Sequence, residues 1–145
     1  CASMKAVVVD ASTMLKWVLP EAVEECSMQA KAIAVAALAG RTRLLLPSLW
    51  YYEVGNILAR RIPEHAAAAM NHLLSLLVPW TQAPTPEILT IALELVRRHG
   101  VTFYDASYHA LAIASDGVLV TADARNVRKV GASEHVMLLG DWPLE

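Results

Sequence analysis

An α/β fold, three-layered, with a mostly parallel five-stranded sheet between helices, is the architecture this sequence predicts. Strand-like and helix-like segments alternate along the whole chain, and each strand-like segment is a short, continuous apolar run. Such runs belong to parallel strands covered on both faces by helices. At 145 residues the chain suits one domain with a sizeable core.

The elements follow in order. Lys5–Asp10 (KAVVVD) is β-branched and ends in an acid, as a buried strand would. Ala11–Leu19 reads as a helix closed by Pro20, and Glu21–Ala39 as an alanine-rich helix stopped by Gly40. Arg43–Leu46 is a second strand, halted at Pro47. A helix from Ser48 to about Arg61 takes Ser48 as its N-cap. Pro63 opens a helix to Leu76, and a brief strand is expected at Val78–Trp80. Thr85 caps a helix over Pro86–His99 that Gly100 stops. Tyr104–Ser115 is apolar on several faces and reads as a buried helix. Asp116-Gly117 turns into the strand Val118–Thr121, a short helix spans Asp123–Val130, and Val136–Leu139 is the last strand. There is no internal repeat or low-complexity linker. Cys1-Ala2-Ser3 precede Met4 and read as a cloning remnant, so the expected domain is 4–145.

Hydrophobic residues make up 56% of the chain and charged residues 18%, with a mean hydropathy of +0.40. No run approaches the roughly 20 apolar residues that span a bilayer. No secretory leader is evident, and a cytoplasmic location is expected. So apolar a chain predicts exposed apolar surface, and hence an oligomer or a tight complex. A net charge of −2 gives no long-range attraction to nucleic acid, so RNA contact would rest on local basic patches and metal ions. Cys1 and Cys26 make neither a disulfide framework nor a zinc site.

The acids are more informative. The chain has five aspartates. Asp10 ends the first strand, Asp123 follows the strand ending at Thr121, and Asp105 opens the buried helix, so all three are expected at one edge of a parallel sheet. Asp116 and Asp141 read as surface residues. Glu53 adds a carboxylate on the helix after the second strand, sharing a polar face with Asn56 and Arg60. Taken one at a time, each aspartate is explained by helix capping. Capping does not explain Glu53, flanked by Trp50, Tyr51, Tyr52 and Val54. Clustered carboxylates repel one another unless a cation offsets them. With no nitrogen or sulfur ligand in the set, the expected ion is Mg²⁺ or Mn²⁺. Phosphodiester hydrolysis is the reaction that best fits such a site.

Four segments together resemble the PIN domain, and within it the VapC-like ribonuclease toxins. They are VVVDASTMLKWVLPE (7–21), PSLWYYEVGNIL (47–58), TFYDASYHALA (102–112) and LVTADAR (119–125). The resemblance implies that Asp10, Glu53, Asp105 and Asp123 hold Mg²⁺ or Mn²⁺ and carry catalysis. It implies Ser12, Asn56 and Thr121 as supporting polar residues. It further implies an endoribonuclease acting on RNA, a homodimer, and a cognate antitoxin whose tail occupies the active-site groove. Arg60 and Arg125 are the expected RNA contacts, with Arg128 and Lys129 nearby.

Other residues read as structural. His109 departs from the family pattern and reads as a packed helix histidine, while Arg97 and Arg98 suit a helix C-terminus. Lys16 and Glu21 read as solvated positions that could face the groove, and Trp17, Trp50 and Tyr104 as core. The rival readings are a catalytically inactive PIN-like module and a different phosphate enzyme. Loss of an acid would favour the first, and none is lost. A dehalogenase-like phosphatase would need a second aspartate two residues after Asp10, where Ser12 stands. A phospho-receiver would need an acidic pair near the start of the first strand and a late lysine after a strand, and neither is evident.

Overall fold

The structure is a computed structural model and describes residues 4–20 and 25–144; Cys1–Ser3 and Glu21 lie outside the described residues. The elements are β1 (Ala6–Val9), α1 (Ala11–Met14), α2 (Ser27–Leu38), β2 (Arg43–Pro47), α3 (Trp50–Arg61), α4 (Ala66–Leu77), β3 (Thr81–Gln82), α5 (Pro86–His99), α6 (Phe103–Ala114), β4 (Val118–Thr121), α7 (Ala124–Val130) and β5 (Val136–Leu138). Short 3-10 turns occupy Leu15–Trp17, Val78–Trp80 and Leu139–Asp141.

The strands form one sheet in the order β3-β2-β1-β4-β5, every pair parallel. Val8 is central, opposite Leu45 on one side and Leu119 on the other. Both β1 and β4 are buried along their whole length, which explains their continuous apolar sequence. From β1 the chain builds outward through β2 and β3, then returns to add β4 and β5 on the opposite side. The order therefore reverses between β1 and β4. In open α/β sheets the crevice beyond the carboxyl ends of the strands at such a reversal is where ligands bind.

Helix α6 lies across β1, β2 and β4, with α5 packed along it. Ala106–Ala112 are all buried. The small side chains of Ala106, Ala110 and Ala112 let sheet and neighbouring helix approach closely. Helix α5 contributes the stripe Ile88, Ala92, Leu95, spaced for one helix face. Thr85 and Thr102 cap α5 and α6 through their side-chain oxygens, and Gly100 ends α5 with φ 66°. At Gly117, entering β4, a Cβ would collide with the backbone carbonyl of Ala6, so no larger residue fits the start of this strand pair.

Several expectations need correction. The helix expected over Ala11–Leu19 is α-helical only to Met14 before tightening into a 3-10 turn. Within the described residues, the helix expected over Glu21–Ala39 runs from Ser27 to Leu38, preceded by Cys26 in a left-handed conformation. Ser48 does not cap α3: its N–H is tied to the Gln82 carbonyl at the sheet edge, and Leu49 takes the cap position without a side-chain bond. The helix expected from Pro63 begins at Ala66, after a turn closed by His65 on Ile62. Val78–Trp80 is a 3-10 turn because Pro79 has no N–H for a ladder, and the strand is Thr81–Gln82 instead. Trp50, fully buried, pins that strand by donating Nε1–H to Thr81 Oγ1 at 2.9 Å. The last strand stops at Leu138.

Two side chains expected in particular environments lie elsewhere. Lys16, read as solvated, is only 7% exposed, and Tyr104, read as core, is 60% exposed. Both follow from a helix whose geometry differs from the assumed one. The 3-10 turn takes Lys16 out of the expected α-helix, and α6 starts at Phe103, one residue earlier than expected, with Tyr104 in its exposed first turn.

His109 is buried as expected, at 4% exposure. Burial, with repulsion from His99 and His135, pushes its imidazole down to about 4 from an ordinary 6.5. Below pH 6.5 the unfolded chain takes up a proton that the folded chain refuses. His109 thus contributes stability present above pH 6.5 and lost as the pH falls toward 4. In urea melts from pH 7 to 4.5, His109→Gln should show a visibly shallower fall in stability than wild type. Parallel slopes would show that this histidine does not set the acid response.

Candidate active site

Asp10 follows β1 directly, and its carboxylate is held at nearly every lone pair. Ser12 Oγ donates to Oδ1 at 2.6 Å, the Thr13 N–H donates to the same oxygen at 3.2 Å, and Thr121 Oγ1 donates to Oδ2 at 2.5 Å. Thr121 is the last residue of β4, the strand next to β1, so this bond crosses the point where the strand order reverses. The Thr121 hydroxyl also accepts from the Asp123 N–H at 3.0 Å, and Ser12 Oγ accepts from the Ala122 N–H at 3.1 Å. Ser12 and Thr121 thereby tie the loop after β4 to the Asp10 carboxylate. Burial raises the pKa of Asp10, the bonds from Ser12, Thr121 and Thr13 oppose that rise, and Asp105 adds to it.

Glu53 projects from the first turn of α3, half-buried, and accepts a hydrogen bond from Tyr108 Oη at 2.9 Å. Its pKa is raised first by burial; the Tyr108 bond opposes this, and both Asp10 and Asp105 push it further up. Asp105 stands in the first turn of α6. Burial raises its pKa most, a bond from Thr102 opposes the rise, Asp123 adds to it and Lys129 reduces it. The four acids are therefore linked by mutual repulsion: Asp10 with Asp105, Glu53 with both, and Asp105 with Asp123.

Capping turns out to be real as well. Asp10 caps α1, accepting from Thr13, and Asp123 caps α7, accepting from the Asn126 N–H at 3.1 Å. Thr102, not Asp105, caps α6.

The expected peripheral residues divide. Ser12 and Thr121 are in the cluster. Asn56 and Arg60 lie exposed on α3, one and two turns past Glu53, and Arg125 is exposed just beyond Asp123. Among the described residues these three make no side-chain hydrogen bond or ion pair. Lys129 is the basic residue close enough to act on Asp105. Tyr108 is the residue that the sequence reading missed. It sits three residues after Asp105, hence on the same helix face, and a fully buried tyrosine needs a partner for its hydroxyl. That need was the available signal.

The donor set is all oxygen, which suits a hard divalent ion. Among the described residues no three His, Cys, Asp or Glu side chains are drawn into a single cage. Mg²⁺ is commonly held by one or two carboxylates with retained waters, so the set fits such an ion without a cage. The buried Asn126 Oδ1, three residues after Asp123, has no hydrogen-bond partner among the described residues.

The PIN domain family model matches residues 7–132. Ribonuclease VapC1 of Mycobacterium tuberculosis is 38% identical over 120 residues, covering 70% of this chain and 88% of the relative. Exonuclease VapC9 of Pyrobaculum aerophilum is 39% identical over 95 residues, covering 61% of this chain and 68% of the relative. The crystal structure of PAE2754 from Pyrobaculum aerophilum superposes with a TM-score of 0.66 at 27% identity, over 94% of this chain and 85% of that one. A chain with this sheet order, this match and these relatives belongs to the PIN domain family.

Proposed function

We propose that this PIN-domain chain is a metal-dependent endoribonuclease whose active site is Asp10, Glu53, Asp105 and Asp123. One observation carries the reading: the four carboxylates repel one another across the carboxyl edge of the sheet, where the strand order reverses. The curated relatives are named ribonuclease and exonuclease, which supports nuclease chemistry. None of the four acids is missing, so nothing favours an inactive module.

Mg²⁺ or Mn²⁺, when bound, supplies a water of lowered pKa and neutralises charge on the phosphate. The chain's own residues supply position and charge. Asp10 is clamped through both oxygens by Ser12, Thr13 and Thr121, which fixes the direction of the lone pair left on Oδ2. Asp105 and Asp123 enter from the starts of α6 and α7. Lys129 sits beside Asp105, and Arg125, exposed and without an ion-pair partner among the described residues, is placed to bind a backbone phosphate. Arg60 extends the same reading along α3.

The chain is also proposed to be a cytoplasmic homodimer silenced by a cognate antitoxin that occupies the acidic groove. No helix of the described residues is long and apolar enough to cross a membrane. Exposed apolar side chains support the dimer: Val35 and Leu38 on α2, at 56% and 63% exposure, border a groove of about 260 Å³ shared with Leu76 and Leu77 of α4. Sedimentation at micromolar concentration should give a dimer, and a monodisperse monomer would remove that part of the reading.

Circular single-stranded RNA offers a direct test, because only an endonuclease can open it. With Mn²⁺ the chain should linearise it, and a chelator should stop the reaction. Asp105→Asn removes a charge from a repelling set, so cleavage should fall by at least about a hundredfold while the metal-free melting temperature holds or rises. Near wild-type cleavage by that variant would refute the site; degradation of linear but not circular RNA would make the enzyme an exonuclease.

Arg125→Ala should weaken RNA binding and flatten its dependence on log salt by about one unit if one phosphate contact is lost. An unchanged slope would place the phosphates elsewhere.

A further inference from the structure

Asp10 and Glu53 are held in different ways. Asp10 is clamped by two hydroxyls and a backbone N–H, close to its own backbone. Glu53 has a longer side chain with more torsions to fix, at a greater entropic cost. The bond that the structure gives its carboxylate comes from Tyr108 Oη, to Oε1, at 2.9 Å. Tyr108 is well suited to this. Its ring is fully buried within α6, so the hydroxyl is a rigid post and does not search for its partner. It lies one helical turn from Asp105, so a single helix face presents one acid and anchors another that comes from α3. Bonding to Oε1 leaves Oε2 available.

We infer that Tyr108 is a positioning residue of the active site, which fixes the Glu53 carboxylate toward the divalent ion. The inference rests on the proposed function of the acidic quartet. The hydroxyl acts as a neutral donor. Oη donates to the Glu53 carboxylate in the structure, and an ordinary phenol is protonated at neutral pH, so it acts as a donor and not as an anionic ligand. Hydrogen bonds from an outer residue to a metal-binding group commonly govern affinity by ten- to a hundredfold. A merely structural tyrosine would instead register in the stability of the metal-free fold.

The test compares wild type, Tyr108→Phe, Glu53→Gln and the double variant. Tyr108→Phe keeps the ring and removes one oxygen. Mn²⁺ binding by calorimetry, single-turnover cleavage and the metal-free melting temperature are measured on each. Expected for Tyr108→Phe is a roughly tenfold weaker Mn²⁺ affinity and a similar loss in the cleavage rate. RNA affinity without metal should be unchanged, and the metal-free melting temperature should shift by only a few degrees. Glu53→Gln should weaken Mn²⁺ on its own, and adding Tyr108→Phe to it should cost nothing more, because the two act through one carboxylate. If Glu53→Gln weakens Mn²⁺ but Tyr108→Phe does not, the positioning role is wrong and the quartet stands. Additive losses in the double variant would also overturn it. If neither wild type nor any variant binds Mn²⁺, both the quartet reading and this inference fall.

Discussion

Withdrawing a carboxylate from water and bringing it near another both cost free energy, and the acidic edge of this sheet does both at once. Burial raises the pKa of Asp10, Glu53 and Asp105, and each has a further acid pushing it the same way. The surroundings answer mainly with neutral donors. Ser12, Thr121 and the Thr13 amide serve Asp10, Tyr108 serves Glu53, and Thr102 serves Asp105, while Lys129 is a cation that acts on Asp105. Neutral donors orient an anion without cancelling its charge. A lysine or arginine in each position would relieve the repulsion and leave little for a metal ion to gain. The fold thus keeps the charges uncompensated and the geometry fixed.

The sheet makes this arrangement possible. Because β1 and β4 are adjacent and parallel, both chains leave the sheet at the same edge, and Thr121 reaches across to Asp10. A strand slip of one residue would turn Thr121 to the opposite face and remove that bond. The register is held by the buried valines of both strands and by Gly117, whose lack of a side chain allows the backbone of Ala6 to pass. Core packing and site geometry are one constraint at this point. The small residues of α6 serve both as well: its alanines let the helix settle on three strands, and that depth brings Tyr108 beneath Glu53.

What could be read from the sequence follows from how local each cause is. Continuous runs such as AVVV and VLVT announce buried parallel strands, and caps such as Thr85 announce helix starts, because each depends on neighbouring residues alone. Strand β3 was placed three residues early since its two residues owe their pairing to Leu46 and Pro47, distant in sequence. Lys16 and Tyr104 were misplaced for a related reason, as side-chain direction changes with a 3-10 turn or a shifted helix start. The four acids were legible as a set through their positions at element ends and through the family resemblance. Tyr108 was not, because its partner lies 55 residues away and nothing in its own segment names it.

Capping and ligation were posed as alternatives for the aspartates, and the structure shows capping at two of them. Asp10 accepts from Thr13 and Asp123 from Asn126, each in the manner of an ordinary N-cap. Capping alone does not account for aspartate at position 10. Asparagine and serine cap about as well as aspartate, a contribution of about 1 kcal/mol, and neither carries a charge. At Asp10 that charge sits at 6% exposure beside other acids, where burying a carboxylate costs more than the cap returns. Selection for stability would favour the uncharged cap. The excess cost is incurred where the strand order reverses, next to the other acids, and under the proposed function a bound divalent ion would recover it. On that proposal the cap sets the direction of the Asp10 carboxylate, and its charge would serve the ion.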